Sequence, residues 1–544
     1  MTKIQTKTLV FAILPLLVAV LIMIPRLVSP QFGLMDDGLI YVEVQKILGG
    51  DLSMTYDLQA GRFRPLYWAY FTLVYRLAGP NPVWFFVSHL IMLLILLIEI
   101  RFLMKYLHAK EWQILLTSLV FLFSIPIIEN FYTLSKGDPL SLVFMLASLL
   151  CLEKFKNASH KPARYLYAAL ALISSLSAIW AKETAYIMVP ISAVWAGFVL
   201  IQRKKYAQQI RQAYLIFFGT MAGAMAAFFL IRAALGAPPV TGGTFTERYI
   251  FTWESIISRI PRWVTLFANY YHYLAPFSTL GIIVLINKKD VHPNQKLQFF
   301  VWLIWCLAWI GVLLPWEYAR AYYLLAFSLG TSILVGLLAP YIWNLIKRAN
   351  KPMRWVMTLL SGISIVLFLA SLTHYRTHAH TQLLFDRMNH QMLQITKDIT
   401  PKDGAVFSSF ETRKEYVEGI EYFLVDFYGL SEITYTHISV ETLERLHWYS
   451  GGVVVMPYVN NMPRLIVRAG VDEEFVMLWN EIVLWNQGDR LTQVTQIRDD
   501  FQIFNLNLPV IFCPLIGSRG YCENPDPFFD TRVFSYGWDI YTIR

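Results

Sequence analysis

What most restricts the fold of this chain is a succession of apolar runs, each close to the length of a bilayer crossing, that occupies its first 374 residues. A helix needs about 20 apolar residues to cross the roughly 30 Å hydrocarbon layer, and in lipid a single segment satisfies its own backbone groups only as a helix. Such runs lie near residues 8–28, 83–104, 112–128, 138–153, 164–180, 184–201, 212–235, 271–287, 297–314, 320–346 and 354–373. They predict a polytopic α-helical membrane protein with about eleven transmembrane helices. The first run follows Lys3 and Lys7 but no small-x-small cleavage site comes after it, so it reads as a helix and not as a removed signal.

Composition supports lipid as the solvent. Only 15% of residues are charged and 56% are apolar, whereas soluble domains carry about 25% charge. The net charge of +9 raises the question of nucleic acid. The basic residues answer it, because they sit in short clusters between apolar runs and not in one patch interleaved with aromatics, so nucleic acid is not expected as a partner. With a cytoplasmic N-terminus, the inner loops hold Arg101, Lys105 and Lys110; Lys154, Lys156, Lys161 and Arg164; Arg203, Lys204, Lys205 and Arg211; Lys288, Lys289 and Lys296; and Lys347, Arg348, Lys351 and Arg354. Every even-numbered connection then obeys the positive-inside rule. The expected location is the cell membrane, with the C-terminus outside the cytoplasm.

Three outer segments are long enough to do more than connect: 29–82, 236–270 and everything after about 374. The stretch 64–77 is amphipathic and suited to lie on the interface. The organisation is therefore a transmembrane module over 1–374 and an extracytoplasmic α/β domain over 375–544. In the latter, 405–408 and 452–458 read as buried strands, and 411–428 and 440–449 as helices. Cys513 and Cys522 can close a small disulfide loop there, while Cys151 and Cys306 fall inside apolar runs as packing residues.

Ionisable groups at membrane depth or at its edge are expensive without a task or a partner. Here they collect on the expected outer side: Asp36 and Asp37 just after the first run, Arg62 and Arg64 in the same loop, Lys182 and Glu183 at the end of the fifth, and Glu317, Arg320 and Tyr322 at the start of the tenth. Adjacent carboxylates repel, which raises the proton affinity of one and suits it to act as a base. The bland reading is a solvated loop pair with interfacial anchors. Taken together, two carboxylates and several cations on one face fit an anionic lipid headgroup. His374, His378 and His380 have no further ligand at a metal spacing and are expected at a solvated boundary, with His272 in an aromatic belt.

The order of these motifs is familiar. An acidic pair after the first helix, then Arg62-Phe-Arg-Pro-Leu-Tyr-Trp, Gly79-Pro-Asn-Pro and Ser88-His-Leu, resembles the GT-C glycosyltransferases, and among them the O-mannosyltransferase-like branch that uses polyprenyl-phosphate sugars. Ala181-Lys-Glu-Thr resembles that branch's Lys-Glu motif, and Glu317-Tyr-Ala-Arg-Ala-Tyr-Tyr its late Glu-Arg-Tyr motif. The likeness covers roughly 8–346. No tetratricopeptide pattern follows the last helix, where the repeat-bearing members of the branch have one.

The resemblance implies an inverting transferase that takes a sugar from a polyprenyl-phosphate carrier, outside the cytoplasm, to an acceptor hydroxyl on a glycan, lipid or protein. Its base maps to Asp36 or Asp37, with Asp36 preferred. Arg62, Arg64, Lys182, Glu183, Glu317, Arg320 and Tyr322 map to substrate binding. Since Arg320, Lys182 and Arg64 can neutralise the leaving phosphate, no cofactor is required, although the acidic pair leaves room for a divalent metal. The segment 236–270, with Thr241-Gly-Gly-Thr, can form a lid. A multi-pass transporter or flippase of lipid-linked or anionic substrates is the alternative, but neither paired repeats nor midplane breaks stand out in the sequence.

Overall fold

The structure is a computed structural model that describes residues 3–34, 37–53, 57–58, 62–235, 252–286, 293–316, 320–409, 414–439, 443, 450–462, 473–507, 510 and 526–544. The chain is a helical membrane body followed by a sheet-containing C-terminal domain. The helices of the body are α1 (Lys3–Val28), α2 (Asp37–Leu48), α3 (Pro65–Ala78), α4 (Pro82–Tyr106), α5 (Glu111–Leu122), α6 (Ile125–Phe131), α7 (Asp138–Asn157), α8 (Lys161–Ala181), α9 (Met188–Ile201), α10 (Gln208–Ala234), α11 (Trp253–Tyr270), α12 (Leu274–Ile286), α13 (Pro293–Leu313), α14 (Leu325–Arg348) and α15 (Lys351–Ile399).

All eleven apolar runs fall on helices. Among the described residues eight helices are long and apolar enough to cross a membrane, nine if the bent pair α5 and α6 is one span. Of the other two runs, α7 carries Asp138, Glu153, Lys154 and Lys156 at its ends, and α12 is only 13 residues long. The expected interfacial stretch is α3, which buries Tyr67, Trp68 and Phe71 and exposes Leu73 and Leu77.

Local sequence explains the two departures from straight crossings that matter for the site. Pro126 lacks a donor and its ring excludes the carbonyl of a preceding turn. The run 112–128 therefore breaks after Leu122, and α6 leaves at 61° to α5. At the other extreme, Asn350 caps α15 by accepting from the Met353 N–H at 3.2 Å, and no proline or glycine interrupts the last 37 residues of that helix. It runs straight past residue 374, where the hydropathy falls, to Ile399.

The C-terminal domain is built on that extension. Strands β1 (Ala405–Ser408), β2 (Thr434–His437), β3 (Val453–Asn460), β4 (Leu491–Gln502) and β7 (Val533–Ile543) form one sheet in the order β2-β1-β3-β7-β4, parallel over the first three and antiparallel across β7. A short pair, β5 (Asn505–Leu506) and β6 (Phe529–Asp530), stands apart. Helix α15 covers one face, where Phe385, Met388 and Met392 pack with Val455, Tyr536 and Trp538. Helix α17 (Glu473–Gln487) covers the other, where Trp479 and Val483 meet Phe407, Val454 and Met456. The two expected strands appear as β1 and β3. The expected helix over 411–428 appears as α16 (Lys414–Tyr422), continued by a wider π turn over Phe423–Phe427, and the one over 440–449 lies outside the described residues.

Close helix contact in the body depends on small residues. A Cβ at Gly336 of α14 would come within 2.0 Å of Thr117 Oγ1 and 3.0 Å of the Gln113 carbonyl of α5, and the Gln113 side chain donates to the Gly336 carbonyl at 2.8 Å. Gly336→Val is expected to destabilise the protein by about 1–3 kcal/mol, read as a lower melting temperature in detergent.

Candidate functional site

Two clusters of polar side chains sit at the end of the bundle that faces the sheet domain. The first is built around the acidic loop. Asp37 opens α2, is 4% exposed, and accepts from the Gly33 N–H at 2.7 Å. A Cβ on Gly33 would stand 3.3 Å from Asp37 Oδ2 and equally 3.3 Å from Asp386 Oδ1, so two carboxylates close on this glycine from opposite ends of the chain. Asp386 pairs with Arg26 and accepts from Gln382 Nε2 at 2.6 Å. Arg26 also donates to the Tyr132 carbonyl at 2.6 Å and lies over the rings of Phe86 and Tyr132.

The second cluster holds most of the expected substrate-binding residues. Arg64 makes a two-point pair with Asp57 at 3.0 and 2.6 Å, and Trp68 Nε1 donates to the same carboxylate at 2.7 Å. Arg64 lies 4.2 Å over the ring of Tyr67, whose hydroxyl donates to the Ser135 carbonyl. Glu183 accepts from the Phe63 N–H at 2.6 Å and pairs with Arg232 at 3.4 Å. Lys182 pairs with Asp138 and stands 5.8 Å from the ring of Tyr322 and 5.1 Å from that of Tyr323, while Lys136 approaches Tyr322 from 4.6 Å. Asn130 of α6 donates to the Tyr322 carbonyl at 2.9 Å, so the bend at Pro126 is what delivers Lys136 to this place.

Of the expected site residues, Arg64, Lys182, Glu183 and Tyr322 belong to this cluster. Arg62 stands near enough to Asp57 for their charges to interact, and Arg320 immediately precedes the 3-10 turn Ala321–Leu324 that carries Tyr322. Asp37 belongs to the first cluster. The segment Tyr132 to Lys136 ties the two together, through Arg26 on Tyr132, Tyr67 on Ser135, and Lys136 on Tyr322. Asp36, Glu317, the residues 236–250 of the expected lid, and the pair Cys513 and Cys522 lie outside the described residues.

Burial sets the electrostatics. It opposes ionisation of Asp57, yet the guanidiniums of Arg64 and Arg62 and the Trp68 N–H outweigh it and hold that carboxyl below the usual range. Burial also pulls Lys182 below an ordinary lysine, with the Asp138 carboxylate pulling the other way. The result is a cationic face of Lys136, Lys182 and Arg64 walled by tyrosines, a combination suited to a phosphate-sized anion.

Three expectations are corrected. His374 and His378 are not at a solvated boundary: they are 1% and 4% exposed, because α15 continues as a packed helix. His374 Nε2 lies 2.8 Å from the Leu506 carbonyl, and His378 bridges Glu129 at 2.6 Å and the Tyr270 hydroxyl at 2.8 Å. His272, expected in an interfacial belt, is buried against the Leu367 carbonyl at 2.7 Å. Among the described residues no three His, Cys, Asp or Glu side chains gather at metal-ligand spacing. Arg26, Asp57, Lys136, Asp138, Arg232 and Asp386 join the site beyond the residues expected from sequence. A charge inside an apolar run marks Arg26, and Ser135-Lys-Gly-Asp-Pro marks the turn between α6 and α7. Nothing local marks Asp386.

No family model matches the chain, and no curated protein does. Solved structures do. ArnT from Cupriavidus metallidurans, bound to undecaprenyl phosphate, superposes with a TM-score of 0.50 at 12% identity, over 82% of this chain and 92% of that one. The apo state of the same ArnT gives 0.44 at 10% identity over 84% and 93%. The apo form of the Archaeoglobus fulgidus oligosaccharyltransferase gives 0.47 at 12% identity over 76% of this chain and 64% of that one. The chain thus shares its fold with this ArnT, a likeness in line with the resemblance carried by the motifs of its first loop. It is a multi-pass membrane protein of that architecture.

Asp57→Ala leaves Arg64 buried without its counter-charge, and a loss of about 3–5 kcal/mol is expected. Because the folded carboxyl ionises more readily than the unfolded one, the stability it adds is fully present above about pH 4 and disappears as pH falls through the lowered folded value. Melting temperature measured against pH checks this, and the acid-side slope is expected to flatten in Asp57→Asn.

Proposed function

We propose that this protein is an inverting glycosyltransferase that moves a sugar from a polyprenyl-phosphate carrier to an acceptor hydroxyl on the extracytoplasmic side of the membrane. The observation that carries the reading is the cationic face of Lys136, Lys182 and Arg64 beside Tyr322, at the end of a bundle with the fold of an ArnT solved with undecaprenyl phosphate bound. The distribution of Lys and Arg between the apolar runs supports the extracytoplasmic assignment.

In the proposed reaction, Asp36 or Asp37 accepts the acceptor's hydroxyl proton as that oxygen attacks the anomeric carbon opposite the phosphate. The bond from the anomeric carbon to the phosphate oxygen breaks, its electron pair goes to the phosphate, and configuration inverts. Negative charge grows on the departing polyprenyl phosphate, where Lys182, Lys136, Arg64 and Arg320 offer fixed positive charge in a water-poor setting. Asp138 and Asp57 orient Lys182 and Arg64 and keep them from costing their full desolvation penalty. In this reading the side chains themselves stabilise the leaving phosphate, and no cofactor is invoked.

Two results test the reading with purified protein and a polyprenyl-phospho-sugar. Transfer is expected to be lost in Asp36→Asn or Asp37→Asn, and full activity in both variants would reject the assignment of the base. Lys182→Met is expected to slow transfer by about 10²-fold. Since burial lowers the Lys182 pKa, its charge disappears as pH rises at a lower pH than for an ordinary lysine; Lys182→Arg is expected to carry the alkaline limb of the rate profile to higher pH.

A further inference from the structure

The acidic loop touches more than the membrane body. Gly38, one residue after Asp37, is packed so tightly under α16 that a Cβ there would meet Tyr422 at 3.1 Å and Phe423 at 3.3 Å. Gly419 of α16 sits against the Leu34 carbonyl, with no room for a Cβ. Phe32 packs between Phe85 of α4 and the pair Phe423 and Phe427, edge-on to Phe85 and Phe427, and Tyr41 adds a second contact to Phe427. From below, Asp386 closes on Gly33. The loop is therefore gripped between the body and the C-terminal domain, and the grip includes a buried ion pair, Arg26 with Asp386.

We propose that Asp386, with Arg26, is a positioning residue for the transfer reaction: through Gly33 it fixes the acidic loop and sets the charge beside Asp37. The inference rests on the reading that this loop carries the base. A buried ion pair contributes little to stability compared with apolar side chains of similar volume, so stability alone does not account for placing one here. Its geometry does have a use. Asp386 sets a negative charge, and Arg26 a positive one, beside the glycine that Asp37 also holds. Among the described residues, the other charged or titratable groups on elements packed against the loop include His89 on α4; Tyr132 after α6; Glu418, Glu421 and Tyr422 on α16; Asp426 in the π turn after it; and Tyr41, Glu43 and Lys46 on α2, the last two paired at 2.6 Å. Asp36 neighbours Asp37 in sequence. Of the groups on other elements, Asp386 shares the Gly33 contact with Asp37.

The experiment compares full-length variants for melting temperature and for the pH dependence of sugar transfer. Asp386→Asn removes a negative charge beside Asp37 and leaves Arg26; kcat is expected to fall about tenfold or more with KM for the donor little changed, and the acid limb of kcat is expected to move to lower pH. Arg26→Met moves that limb the other way, and Asp386→Glu restores the wild-type profile. Should either single variant fail to fold, the double variant R26M/D386L replaces the pair with apolar side chains and is expected to melt near wild type while remaining slow. Wild-type rate and pH profile in folded Asp386→Asn, or full rate in the double variant, would overturn the proposal. Those outcomes leave the base assignment standing if Asp36→Asn and Asp37→Asn still abolish transfer; if both of those are active, the reading of the loop itself fails.

Discussion

One face of α15 carries His374, His378, Gln382, Asp386 and Asn389 at helical spacing, and each is 4% exposed or less. A polar stripe of that kind is tolerable only if every group finds a partner. The partners come from distant parts of the chain: the Leu506 carbonyl for His374, Glu129 and Tyr270 for His378, Thr133 for Gln382, Arg26 for Asp386, and Tyr536 and Trp538 for Asn389. The stripe thus fixes α1, α6, α11 and the sheet to a single rigid axis. Both polar clusters hang from it, since Arg26 and Asp386 anchor the acidic loop and the Tyr132 to Lys136 segment leads to the cations. A charge left unpaired here would cost more than most core substitutions, which makes the arrangement all-or-none.

How much of this can be read from residues alone depends on the length scale of the cause. Crossing helices are encoded in windows of 20 residues, and all eleven apolar runs are helical. The short motifs around Arg64, Lys182 and Tyr322 are likewise local, and the structure draws them together. Their partners are another matter. Asp57, Asp138 and Arg232 are ordinary loop or helix-end charges in sequence, and only the fold brings each to its counter-ion. Asp386 is the extreme case, 360 residues from Arg26 and indistinguishable from a surface acid on an amphipathic helix.

The burial of His374 and His378 and the length of β4 and β7 share one cause. Hydropathy falls after residue 373, and a drop in hydropathy resembles a helix emerging into water. In fact α15 exchanges lipid for protein. Its later turns are covered by β7 and β4, whose alternating patterns, such as Phe534, Tyr536, Trp538 and Ile540 on the buried side, become meaningful only once a partner surface is supplied. Polarity at the boundary therefore signalled a change of neighbour, and α15 becomes more buried in protein beyond it, not less.

The grip on the acidic loop also has a bearing on biosynthesis. Leu34 and Asp37 precede in the chain the elements that close on them, Gly419, Phe427 and the strand ending at Ile543 that steadies α15. For most of its synthesis the nascent chain sits in the bilayer with this corner incomplete, and long-range contacts of this kind are slow to close. Insertion of the spans and closure of this corner are therefore separate events, the second waiting on segments that follow the last span.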